Sequence, residues 1–155
     1  MASRLNSSSL MMVAVAALLF SSSTIAIDSY SKVPLQRPNG LKPQSVYQTK
    51  SYTFSVLAYS TEQPTPLNAI HSWRISIKDS KGSAVTDADT VIDITMPEHL
   101  HGMTTIPVIS RLEQPGEYLV EGIKFHMPGW WRLNLDISSG AKRDLIRLDV
   151  LVGES

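Results

Sequence analysis

Side chains able to hold a soft metal ion are concentrated in two short stretches, Met96-Pro-Glu-His-Leu-His-Gly-Met103 and His126-Met127-Pro-Gly-Trp-Trp131. Together they contain every histidine except His71 and every methionine beyond Met12, in a chain without cysteine. Thioether sulfur is a soft donor that favours Cu(I), whereas imidazole also serves Cu(II) and Zn(II). Met96, His99, His101, Met103, His126 and Met127 therefore form a candidate copper site, with Cu(I) preferred and Zn(II) as the other possible ion.

Geometry decides which of these donors can meet. In an extended segment, side chains two apart share a face, so His99, His101 and Met103 are expected to project together. Met96, held by Pro97, reaches the same point from the end of the preceding strand, and Gly102 lets the backbone bend between ligands. One segment supplies three or four donors in poor geometry. A tight site needs the second stretch, His126-Met127, brought to the same pole of the fold. Trp131 is expected in the core, which leaves Trp130 to shield the ion or face it through a cation–π contact. His71 opens a core strand and reads as a structural histidine, and Glu98 as a solvated loop carboxylate.

The elements that must position these loops read as strands. Apolar residues alternate with a period of two, and Pro, Gly, Asn and Asp cut the pattern into short pieces. Tyr52, Phe54, Val56 and Ala58 share one face of a first strand. Trp73, Ile75 and Ile77 share one face of a second, which ends at the Asp79-Ser-Lys-Gly82 turn. Further strands are expected over Val91 to Met96, over Thr104 to Leu112 with an interruption at Pro107, over Glu117 to Phe125, from Trp131 to Ile137, and over Leu145 to Val152. About seven short strands at this spacing predict an all-β fold, an immunoglobulin-like antiparallel β-sandwich. Phe54, Trp73, Ile75, Ile94, Tyr118, Trp131 and Leu133 are its expected core.

Residues 1–26 read as a signal peptide. Arg4 precedes the apolar run Leu10 to Phe20, which is about half the length of a membrane span, and Thr24-Ile-Ala26 suits cleavage before Ile27. Residues 27–44, rich in proline, form an extended leader, and 45–155 the β-domain. The expected location is the periplasm or outside the cell, with no stable membrane span after cleavage. A mature chain of roughly 130 residues buries enough apolar surface to fold without disulfides. Formal charge is balanced and no basic run is present, which excludes nucleic acid as a partner. No nucleophile elbow or phosphate-cradling glycine loop accompanies the Ser, His and Asp residues, so no enzymatic activity is expected.

Trp73-Arg-Ile-Ser-Ile-Lys-Asp-Ser-Lys-Gly82, Ala88 to Pro97, His101-Gly-Met103, Pro115-Gly-Glu-Tyr118 and Phe125-His-Met-Pro-Gly-Trp130 with Leu133 resemble the YtkA-like domain of the FixH group. The resemblance covers most of residues 50–138. It implies an exported or envelope-anchored β-sandwich with links to copper handling and respiratory oxidase assembly. FixH-like members keep a membrane helix, whereas this chain carries a segment that reads as cleavable. The ligand vocabulary is also similar to that of periplasmic copper chaperones serving the oxidase copper centre. Their His-x-Met pair comes last, however, while here His101-Gly-Met103 comes first, so no residue is carried over. Two classes of function follow. One is a periplasmic metallochaperone that buffers Cu(I) or delivers it to an envelope protein partner, in oxidase assembly or copper tolerance. The other is a non-catalytic envelope interaction module with no bound metal.

Overall fold

The alternation of buried and half-exposed residues becomes two stacked antiparallel sheets in the structure, a computed structural model that describes residues 35–154. The expected signal peptide and the start of the leader lie outside the described residues. Nine strands form: β1 (Tyr47–Lys50), β2 (Phe54–Ser60), β3 (His71–Asp79), β4 (Asp89–Met96), β5 (His101–Gly102), β6 (Val108–Arg111), β7 (Glu117–Ile123), β8 (Gly129–Ser139) and β9 (Lys142–Val152). One sheet has the order β1-β2-β3-β7-β6 and the other β5-β4-β8-β9. The immunoglobulin-like sandwich is thus the observed architecture. Among the described residues no helix is long and apolar enough to cross a membrane.

Period-two patterning assigns the inner faces. Phe54, Val56 and Ala58 of β2, Trp73, Ile75 and Ile77 of β3, and Tyr118 and Val120 of β7 are buried from one side. Ile94 and Met96 of β4, Trp131 to Ile137 at alternate positions of β8, and Ile146 to Val152 at alternate positions of β9 close the core from the other. All seven residues expected in the core are there. Strand β8, paired along its length with β9 and over Asp89–Thr95 with β4, is the spine of the second sheet.

Three strand expectations shift. Tyr52 is fully exposed rather than inward, because Ser51 Oγ accepts from the N–H groups of Thr53 and Phe54 and turns the chain just before β2 begins. The strand expected over Thr104 to Leu112 shrinks to β6, since Pro107 has no N–H to donate to a ladder. The two strands beyond the expected seven are β1 and the two-residue β5, both too short to show a period.

Chain crossings between the sheets are pinned by polar contacts. The Tyr118 hydroxyl donates to the Val85 carbonyl at 2.7 Å and accepts from the Ala88 N–H at 3.1 Å, fixing the passage from β3 to β4. Gly116 sits at φ +76°, where a Cβ would stand 2.9 Å from both Ala84 Cβ and Ile77 O, so this turn admits no side chain. Before β1, residues 35–44 carry no strand, but Leu35 donates its N–H to the Pro97 carbonyl at 3.3 Å.

Candidate metal centre

Strand β4 ends at Met96, and a four-residue turn, Pro97 to Leu100, returns the chain as β5. Met96 pairs with His101 across this hairpin. The turn is closed by the His99 N–H donating to the Met96 carbonyl at 3.0 Å, with Leu100 at φ +56°. His99 therefore lies in a turn and not on the extended segment from which it was expected to project. Its ring nevertheless comes 5.8 Å, centroid to centroid, from that of His101.

The second stretch arrives from the other sheet. Chain 124–128 links β7 to β8 and carries His126 and Met127 across the same end of the sandwich. The His126 ring stands 5.2 Å from the His101 ring, so the two loops do share a pole. Two imidazoles ligating one ion at about 2 Å from each nitrogen hold their centroids roughly 5 Å apart in a tetrahedral arrangement. The observed His101–His126 spacing matches that geometry, and the His99–His101 spacing is slightly wider. The three rings form a row with His101 in the middle.

The state of each nitrogen matters more than the spacing. His101 Nδ1 lies 3.1 Å from the Gly102 carbonyl, so it donates there and leaves Nε2 as the free lone pair. His126 is half-buried, and its Nδ1 is out of solvent with no hydrogen-bond partner among the described residues. An unpaired buried polar atom costs about 1–3 kcal/mol, and a bound cation would satisfy this one.

The thioethers are placed unequally. Met103 is half-buried against the core, and its Sδ accepts the Lys124 N–H at 3.4 Å, which sets it two residues from His126 along the neighbouring chain. Met127 is also half-buried, and its carbonyl accepts from Trp131 Nε1 at 3.0 Å. Met96, by contrast, is a core residue whose methyl packs so closely on Gly129 that a Cβ there would lie 2.6 Å from it. Among the described residues no three His, Asp or Glu side chains are placed to hold a metal ion by themselves.

The tryptophan expectation is corrected. Trp130 does not face the histidines: it lies on the outer face of its sheet, donates from Nε1 to Asp149 at 2.8 Å and carries the Arg132 guanidinium 4.9 Å above its ring. Alternation sends adjacent β8 residues to opposite faces, and only Trp131 faces the loops. Its ring meets His101 at 5.9 Å and His126 at 5.2 Å, both edge-on, and so forms the floor of the cluster. His71 stands apart, with Nδ1 donating to the Ala69 carbonyl and Nε2 accepting from Trp73 Nε1, each at 3.1 Å. Burial lowers its pKa, so the ring is neutral with both nitrogens engaged.

One group at this pole has no local signal in the sequence. Glu98, expected as a solvated loop carboxylate, is about one-third exposed and also paired: Arg37, from the segment before β1, reaches it at 3.2 Å while gripping Glu154 at 2.6 Å. The only hint was that Arg37 is the sole charged residue between Lys32 and Lys42.

A family model described as YtkA-like matches residues 46–136, well over half of the chain and all six candidate donors. No curated protein and no solved structure matches it.

Proposed function

The chain belongs to the YtkA-like family, and from that premise we propose that it is a periplasmic or secreted copper-binding protein, holding Cu(I) between the imidazoles of His99, His101 and His126 and the thioethers of Met103 and Met127. Met96 backs the site from the core. The observation that carries this reading is the buried, unpartnered Nδ1 of His126, 5.2 Å ring to ring from His101. Imidazoles and carboxylates alone make no metal group among the described residues, and the thioethers that stand beside the imidazoles favour Cu(I) over Zn(II).

A copper ion here is cargo and not a catalytic centre. The row of donors runs from His99, which is exposed, to His126, which is half-buried, so an ion is reachable from outside. That suits buffering, or exchange with an envelope protein such as an oxidase assembly factor or an efflux component. Residues 1–26 supply the export signal in this reading, and intact-mass measurement of exported protein is expected to show cleavage after Ala26.

The test is a competition titration of Cu(I) against a chelator of known affinity. Replacing Met103 and Met127 by Leu keeps apolar volume and is expected to weaken Cu(I) binding while leaving zinc binding nearly unchanged. Replacing His99 and His101 by Asn is expected to weaken both ions at least tenfold, about 1.4 kcal/mol. Equal binding by parent and variants would overturn the reading and leave a metal-free interaction module in its place.

A further inference from the structure

The turn that presents His99 has little structure of its own: one backbone hydrogen bond closes it, and Leu100 holds a positive φ that a branched apolar residue adopts reluctantly. What holds it from outside is the segment before β1. Leu35 donates its N–H to the Pro97 carbonyl at 3.3 Å, and the Arg37 guanidinium sits between two carboxylates. Nη1 donates to Glu154 Oε2 at 2.6 Å, and Nη2 donates both to Glu154 Oε1 at 3.0 Å and to Glu98 Oε2 at 3.2 Å. Three distant parts of the chain, 35–37, 97–98 and 154, are joined at one cation.

This junction also abuts the base of the hairpin. A Cβ on Gly129 would lie 2.6 Å from the Met96 methyl, 3.7 Å from Glu154 Oε1 and 3.9 Å from Arg37 Nη2. The last residue of β4 and the ion pair thus both lie close to the same glycine, and the strap formed by 35–37 bears on the turn at Pro97 and Glu98. The side chains of Arg37, Glu98 and Glu154 are each about one-third exposed. An exposed pair of this kind contributes little to global stability. A planar fork engaging two carboxylates does fix geometry, and a lysine ammonium does not reproduce it.

We propose that Arg37 is a positioning residue for the metal turn: clamped to Glu154, it holds Glu98 and with it the adjacent His99 in the orientation that faces His101. The inference rests on the copper-site reading and adds to it a residue that touches no metal. Without the strap, the turn samples other conformations and the outermost imidazole leaves the row, while His101, held in β5, and Met103, His126 and Met127, in the connections beside it, keep their places.

The test compares Arg37→Ala, Arg37→Lys and Glu154→Gln with the parent in the full exported chain, using Cu(I) alone as the probe. In the metal-free protein, amide hydrogen exchange over 97–100 is expected to rise at least fivefold in Arg37→Ala and less in the other two, with the thermal midpoint close to the parent's. Cu(I) affinity is expected to fall about tenfold in Arg37→Ala, and adding His99→Asn to that variant is expected to cost nothing further, because the two changes remove the same ligand. Additive losses, or unchanged exchange and affinity, would overturn the proposal. A parent that binds no Cu(I) would instead sink the copper reading. In that case faster turn exchange in Arg37→Ala leaves the strap as architecture only and removes its metal role.

Discussion

His71 and His126 both stand beside Phe125, one packed on its ring at 5.4 Å and the other next along the chain, yet their nitrogens are treated oppositely. His71 is buried with each nitrogen engaged, Nδ1 donating to the Ala69 carbonyl and Nε2 accepting from the Trp73 indole N–H. An indole N–H only donates, so Nε2 must accept and the neutral tautomer is set by its neighbours. His126 keeps a buried Nδ1 with no partner among the described residues. On the copper reading, burial alone does not separate a structural histidine from a ligand, and the accounting of lone pairs does: an unpaired buried nitrogen is a cost that a bound ion would offset.

The harshest way to break this contrast is to remove what both sites lean on. Trp131 floors the His101–His126 pair and also packs on Phe125 at 5.3 Å, and it is wholly buried. Trp131→Ala is expected to cost about 3–5 kcal/mol in chemical denaturation, the usual range for truncating a core aromatic. A variant as stable as the parent would show that the floor is not part of the core.

Exchanging the two histidines separately sharpens the comparison. His71→Leu leaves Trp73 Nε1 without an acceptor and is expected to lose about 1–3 kcal/mol of stability with Cu(I) affinity unchanged. His126→Leu removes an orphan instead of creating one. It is expected to keep or raise the denaturation midpoint while Cu(I) affinity falls at least tenfold, about 1.4 kcal/mol. If both variants behave alike in the two assays, the division between structural and ligand histidine fails.

How much of this was legible beforehand depended on the range of the interaction. Trp73, Ile75 and Ile77, or Trp131, Leu133 and Leu135, announce their faces through a local period of two, and the structure buries all of them. The grouping of His101 with His126 was legible too, since both stretches end strands, although nothing local required the two ends to coincide. What escaped were the features set by turns and by distant charge. His99 sits in a turn because the hairpin closes at Met96 and His101, a register that hydrophobic patterning does not specify across two residues of strand. Trp130 and Trp131 are equally apolar, so choosing which one floors the site required knowing that β8 begins at Gly129 and which of its faces meets the loops. Arg37 and Glu154 are 117 residues apart, and no local pattern links them.

The smallest expected effect is on pH dependence, and it concerns His71. Burial is the main cause that depresses the pKa of His71, opposed in part by the Ala69 carbonyl and the charge of Glu62. The folded value thus lies below the unfolded one of about 6.5. As pH falls through that unfolded value the unfolded chain takes up the proton first, so the stability contributed by neutral His71 is complete above about pH 6.5 and is lost progressively toward the lower folded pKa. Protonation would also put a hydrogen on Nε2, facing the Trp73 N–H that now donates to it. The thermal midpoint is therefore expected to drop as pH falls below about 6.5. His71→Gln, which keeps an acceptor for Trp73 but cannot titrate, is expected to flatten that drop. An identical pH slope in parent and variant would mean that His71 is not the group whose protonation the fold resists.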